Sequence, residues 1–486
     1  MRYGVVVRCF SMLLALCFSS SALTADMREI NVLGKPLSIS VFDIDVAQQK
    51  KLDQYLLSEI ALFERLANEL SQLNNTGAVK QPSVYLRELL QLCDKWEKNS
   101  DQAFSCKLGG LQKEWKGAVD KKELPDRSEL RKKSRSALQQ GWVVGKDKIS
   151  LTDAAKNSGF NISAEGLLQA FVLDTLAKNV TAFAAKQSTS MQGLQLEFDN
   201  QQRCWSKSVS NSQCELNKTG QFLESSITNI ALATNAIVMI DPHQASQKVG
   251  SYTLSNILIP KEGWPVEFAP SVMVAAADAV TAAVIARSLV VKPIAAGIRW
   301  VDSQPGIEAL VMTDTGTIFP TKGWYSLLIP DAQHQPLWSG DKQFLIEYQT
   351  LEHHVAQYRR PYVALWITNS EQQLVRQLVV HGDSLRWLKE IPLWWRRYGR
   401  NNEQSVDGLA RATTAPGSHM VVWDGRDDKG RKVPKGNYTL HIEAAREHGE
   451  HEVVTVAFVL SGQSFNARAA GEKELGVIKV SFNQQP

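Results

Sequence analysis

DAVTAAVIARSL, residues 278–289, is the stretch whose reading decides the fold of the first half of this chain. Between Asp278 and Arg287 its only polar residue is Thr281. An aspartate placed to cap the start, followed by small and apolar residues on every side, describes a helix meant for a protein interior. Such a helix carries little chemistry of its own; Arg287 is the exception. Upstream, LDQYLLSEIALFERLANEL (52–70) and VYLRELLQLCDKW (84–96) have apolar residues at helical spacing. Residues 164–187 read as another amphipathic helix, and the charge-rich 120–140 as an exposed one. GLQLEF, NIALATNAIVMI and SYTLSNILI read as strands, and IEALVMTDTGTIF as a strand pair around Thr315-Gly316.

After residue 340 the pattern changes. FLIEYQT, PYVALWITN, QLVRQLVV, HMVVWD, NYTLHIEAA, EVVTVAFVL and LGVIKVSF are seven short strands, most parted by Gly, Asn, Asp or Pro turns. That spacing predicts an antiparallel sandwich. The insertion SLRWLKEIPLWWRRYGR (384–400) has two readings: a binding surface built on Trp and Arg, or tryptophans packed on the sandwich with arginines facing water.

Arg2 and Arg8, the apolar run Met12–Phe18 and the small residues of SALTAD form a targeting segment. It predicts a signal peptide over 1–25, cleaved after Ala22 or Ala25, and a periplasmic protein. No other stretch reaches the ~18 apolar residues of a membrane span, so no transmembrane helix is expected in the mature chain. A net charge of +4 gives no case for nucleic acid. Four cysteines remain after the signal segment. Export favours disulfides, and the spacings suit local loops, Cys93–Cys106 and Cys204–Cys214. No pair has the close spacing of a zinc site.

Several motifs occur in a fixed order: NELSQLN (68–74), SDQAFSCKLGGLQKEW (100–115), FNISAEGLLQAFVLD (160–174), LQLEFDNQQRCW (194–205), IALATNA (230–236), SNILIPKEGWPV (255–266) and DAVTAAVIARSL. Together they resemble the ApbE family, the FAD:protein FMN transferases, over residues 29–325. The matching patterns are S-x-L-S-x-L-N, T-G-G-A-F, D-L-G-G-I-A-K-G-Y-A-V-D, L-L-L-N-I-G-G-D-I-R-V-W, A-T-S-G, S-H-I-L-D-P-R-T-G-W-P-V and D-A-M-T-A-D-A-L-A-T-A-L. The resemblance implies transfer of FMN from FAD to a Ser or Thr hydroxyl, with magnesium neutralising phosphate charge.

The packing skeleton of these motifs is present, and their polar groups are replaced. The two metal ligands that the resemblance implies, an Asp and a Thr one turn apart, fall on Ala283 and Arg287. The lysine of K-G-Y is Gln169. G-G-D has become Asp199-Asn200-Gln201, and the His and Asp of S-H-I-L-D-P are Asn256 and Ile259. The S-G of A-T-S-G is Asn235-Ala236, and the G-G before A-F is Asp101-Gln102. Alanine offers no oxygen, and a guanidinium repels a cation. These departures imply a catalytically degenerate member, a binding or scaffolding component in envelope flavin or redox processes, with an envelope protein as partner. The alternative is an active FMN transferase whose atypical site uses Asp278, Thr281 or Arg287. On either reading FAD or FMN is the possible ligand, and magnesium is expected only if that atypical site works. Arg287 could also replace the metal's charge and hold an anion. The chain has no G-x-S-x-G elbow, P-loop or dinucleotide glycine fingerprint.

In the second half, WDGRDDKGRKVPKGNYTLHIEAAREHG (423–449) resembles hairpins of immunoglobulin-like bacterial domains. Over 335–486 the chain resembles a periplasmic domain of unknown function that is often fused to ApbE-like regions. Counting from Asp424, the calcium-loop positions fall on Arg426, Lys429 and Lys435, so a turn is expected there. His353-His354 and His448/His451 are expected to be structural or exposed, with a shared metal site as the alternative. The expected architecture is thus an α+β ApbE-like N-terminal domain followed by an all-β immunoglobulin-like sandwich.

Overall fold

The computed structural model describes residues 25–207, 236–241, 246–267, 269–327, 342–353, 355, 358–382, 387–400 and 402–484. These form two compact units. The first comprises the described residues before 208 together with 236–292 and 304–309; the second comprises 293–303 and 310–484. Segments 293–303 and 310–325, which motif matching groups with the first half, therefore cluster with the second. Hydrogen bonds account for this: the Ile294 amide donates to the Asp407 carboxylate, and the Ile318 amide donates to the Asp428 carbonyl at 2.8 Å.

The first unit opens with a hairpin of β1 (Ala25–Val32) and β2 (Lys35–Phe42). Leu33 and Gly34 turn it with φ of 53° and 80°. Helix α1 (Val46–Thr76) is capped by Asp45 and stopped by left-handed Gly77. There follow β3 (Ala78–Lys80), α2 (Val84–Asn99), α3 (Gly109–Lys121), α4 (Arg127–Gln139), β4 (Trp142–Val144), β5 (Lys148–Leu151) and α5 (Asp153–Asn157). Next are α6 (Leu167–Lys186), β6 (Gly193–Phe198), β7 (Gln201–Ser206), β8 (Ala236–Ile240), β9 (Ser246–Val249), β10 (Tyr252–Ser255), β11 (Ser271–Ala276) and α7 (Ala279–Val291). Strands β1-β2-β6-β7-β8-β11 lie side by side in that order, every pair antiparallel. Helices α6 and α7 pack on this sheet and on each other. Ten of the thirteen residues of α7 are buried, as its all-round apolar sequence requires. Alanines at 279, 282, 283 and 286 keep the helix slim enough to lie close to its neighbours.

The second unit pairs a four-stranded sheet with a five-stranded one. The first runs in the order 417–423, 342–350, 475–484, 465–470; the second in the order 410–411, 374–381, 362–369, 436–445, 451–460. Phe344, Trp423, Tyr438, Phe458 and Phe482 fill the space between them, a sandwich core. All seven expected strands are present. Phe465–Ala470, the hairpin Ala25–Phe42 and the small sheet of β3, β5 and β4 are additional.

The described part of the insertion, 387–400, packs inward. Trp394 is fully buried and its Nε1 donates to Gln377 Oε1 at 3.0 Å, while Arg396, Arg397 and Arg400 are exposed. The buried Glu443 carboxylate accepts the Leu393 and Trp394 amides. At 423–431 the aspartates accept backbone amides, Asp424 from Arg426 and Asp427 from Lys429 and Arg431, as in a turn. Cys93–Cys106 is a disulfide. Cys204 is disulfide-bonded too, and Cys214, its expected partner, lies outside the described residues, as do His354 and Asn235. Among the described residues no helix is long and apolar enough to cross a membrane.

Candidate functional site

Helix α6 starts at Gly166, whose φ of +80° suits a residue without a Cβ. Three side chains from three elements converge on it. Gln169, one turn into α6, accepts the Gly166 amide on Oε1 at 2.9 Å. Gln201, at the start of β7, donates Nε2 to the Gly166 carbonyl at 2.8 Å. Arg287, from α7, fills the space a Cβ would take: its Nε lies 2.6 Å from that point. All three are positions where the motif comparison finds a replaced polar residue. The Oε1 of Gln201 is buried without a partner.

Arg287 lines a cavity of about 30 Å³ together with Ser105, Gln112, Ser163, Glu165 and Leu258. Its guanidinium makes no ion pair or hydrogen bond with any described residue. Burial lowers its pKa and the Glu165 charge opposes that shift. The walls are firmly held. Ser105 sits in the loop closed by the Cys93–Cys106 disulfide, and Lys107 Nζ pairs with Glu97 at 2.7 Å. Leu258 belongs to a tight turn in which the Ile259 amide donates to the Trp264 carbonyl and the Gly263 amide to the Ile259 carbonyl, each at 2.8 Å. Trp115 Nε1 donates to the Gly263 carbonyl at 2.9 Å. Ile259 thus serves through its backbone, and Asn256 beside it is part-buried. Asp101, Gln102 and Asp199, where the motifs carry glycine, have φ of 55°, 60° and 55°. The backbone keeps a left-handed form after the glycines have gone.

Asp278 and Thr281 line a different cavity, of about 430 Å³, with Tyr85, Asp174 and Lys178. The Asp278 carboxylate accepts the Thr281 amide at 2.7 Å and the Thr281 hydroxyl at 2.9 Å, so both residues serve the helix cap. Asp174, not singled out by sequence reading, ties α6 to α7. It accepts the Ala279 and Val280 amides at 2.8 Å each and pairs with Arg203 Nε at 3.1 Å. Burial pushes its carboxyl up to about 6, against the pull of those two amides.

Magnesium requires oxygen ligands. Ala283, 3% exposed, supplies none; Arg287 supplies a cation; and both Asp278 oxygens are engaged at the cap. These residues do not fit the ion. Among the described residues no group of three His, Cys, Asp or Glu side chains is placed to hold a metal, His448 and His451 included. Gly166 could have been found from sequence as a glycine followed three residues later by a glutamine ahead of an apolar run.

Residues 33–311 match the model of the ApbE family, and residues 343–477 match a model described as a predicted periplasmic protein, DUF2271. No curated protein matches the chain significantly. Among solved structures it is similar to the ApbE protein of Thermotoga maritima, at 15% identity and a TM-score of 0.52, covering 63% of this chain and all of that one. It is also similar to the apo form of the flavinyl transferase ApbE of Pseudomonas stutzeri, at 13% identity and a TM-score of 0.51, covering 64% of this chain and 98% of that one. These two likenesses establish the fold, and the family model spans more than half of the sequence: the chain belongs to the ApbE family.

Proposed function

We propose that this protein is an exported, flavin-transferase-like member of its family that has lost magnesium-dependent FMN transfer and acts by binding, as a scaffold in envelope flavin or redox processes. The observation that carries the reading is the convergence of Gln169, Gln201 and Arg287 on Gly166. With Ala283 one turn before Arg287 on α7, two amides and a guanidinium stand where the resemblance implies metal ligands and other polar groups used in phosphoryl transfer. The replacements fit one another, as a site rebuilt for another use would. The periplasmic location rests on the signal-like N-terminus and on the description of the second family model.

Incubating the purified mature chain with FAD, magnesium chloride and a Ser/Thr acceptor domain tests this. The expected result is no covalently flavinylated acceptor by in-gel fluorescence, while a metal-binding family member run alongside labels it. A labelled product would establish the alternative, an active transferase with an atypical site.

A further inference from the structure

Arg287 brings a full positive charge to the wall of a small cavity, and no acid neutralises it at ion-pair distance among the described residues. A charge taken partly out of water without a partner is costly, and a guanidinium held that way suits an incoming oxyanion. Ser163 and Gln112 line the same cavity as further polar residues, the Gln112 amide donating to Glu165 Oε2 at 3.4 Å, and Glu165 is the one acid among the lining residues. Size decides which part of a ligand enters. About 30 Å³ accommodates roughly two oxygen-sized groups. That is room for one or two phosphoryl oxygens beside the guanidinium and too little for an isoalloxazine or adenine ring.

We propose that this cavity binds the terminal phosphoryl group of a small phosphorylated ligand, with Arg287 as its resident cation and without a metal ion. Gly166 is part of the device, because any side chain there would displace the guanidinium. The proposal rests on the reading that the magnesium site has gone, and it is tested apart from it.

The experiment is calorimetric titration of the mature full-length chain with ADP, FMN and inorganic phosphate, using adenosine and riboflavin as phosphate-free controls. Each titration is run in excess EDTA and again in excess magnesium chloride. At least one phosphorylated probe should bind, equally well in both buffers and more weakly as salt rises, while the controls stay silent. The relative affinities of ADP and FMN identify the source of the phosphate. Arg287→Gln should weaken binding about tenfold or more. Glu165→Gln, at an exposed position, should tighten it roughly threefold, a gain that a folding defect cannot imitate. The proposal is overturned by silence from all three probes, by a requirement for magnesium, by an unchanged Arg287→Gln affinity, or by a Glu165→Gln variant no tighter than the parent. Flavinylation of an acceptor alongside metal-free phosphate binding would sink the non-catalytic reading and leave this one standing.

Discussion

At the scale of single residues, the site is organised around an absent atom. Gly166 has φ of +80°, and a Cβ there would sit 2.6 Å from Arg287 Nε. Gly166→Ala therefore combines a left-handed alanine with a clash, and should cost roughly 2–4 kcal/mol in urea denaturation. A loss of about 1 kcal/mol, no more than the backbone term alone, would mean that the guanidinium is free to move aside. Gln102 poses the opposite case. It holds φ of 60° where the family motif has glycine, so Gln102→Gly should stabilise the protein by about 0.5–1 kcal/mol in the same assay. From sequence both positions are visible only as a glycine kept and a glycine lost. The dihedral that gives each its meaning belongs to the folded backbone.

At the scale of elements, what was legible follows from how local each signal is. Helix α7 could be read from its own residues, since an Asp cap and an all-apolar surface need no partner to be recognised. The seven long strands of the sandwich were legible for the same reason. Phe465–Ala470 was not: FNARAA lacks β-branched residues, and pairing with the strand Leu475–Gln484 makes it a strand. Nor was the meeting of Gln169, Gln201 and Arg287, because they sit on three elements brought together only by the sheet and its covering helices. Asp174 is the clearest omission, a motif residue whose use at the start of α7 lies 105 positions away. The Cys93–Cys106 bridge was readable from spacing, and it links α2 to the loop that forms one wall of the Arg287 cavity. It closes a 13-residue separation, so replacing both cysteines by alanine should lower stability by roughly 3 kcal/mol. Equilibrium unfolding with and without reductant checks this: the gap between parent and variant should close under reduction, while the bond at Cys204, present in both, contributes equally to each.

For the molecule as a whole, the pH dependence of stability should carry contributions of opposite sign from its two units. In the first, burial raises Asp174 to about 6. A carboxyl raised on folding stabilises below its unfolded pKa, and that contribution is lost as pH rises through about 6. In the second, His441 is buried, stacks on Trp366 with ring centroids 5.0 Å apart, and shares a 2.9 Å hydrogen bond between Nε2 and the Thr368 hydroxyl. Burial lowers it to about 4, with the Arg397 charge adding to the shift. A histidine lowered on folding stabilises above its unfolded pKa, and that contribution is lost as pH falls from about 6.5 towards 4. The two windows overlap, so parent melting curves blend them, and variants are needed to separate the terms. Relative to the parent, His441→Asn should gain about 1–2 kcal/mol on moving from pH 7 to pH 5, because it no longer resists protonation. Asp174→Asn should lose about 1 kcal/mol over the same step, because the parent's protonated carboxyl is missing. The check is urea unfolding of the three proteins at both pH values. Shifts of the same sign in the two variants would show that neither buried group titrates as its surroundings dictate.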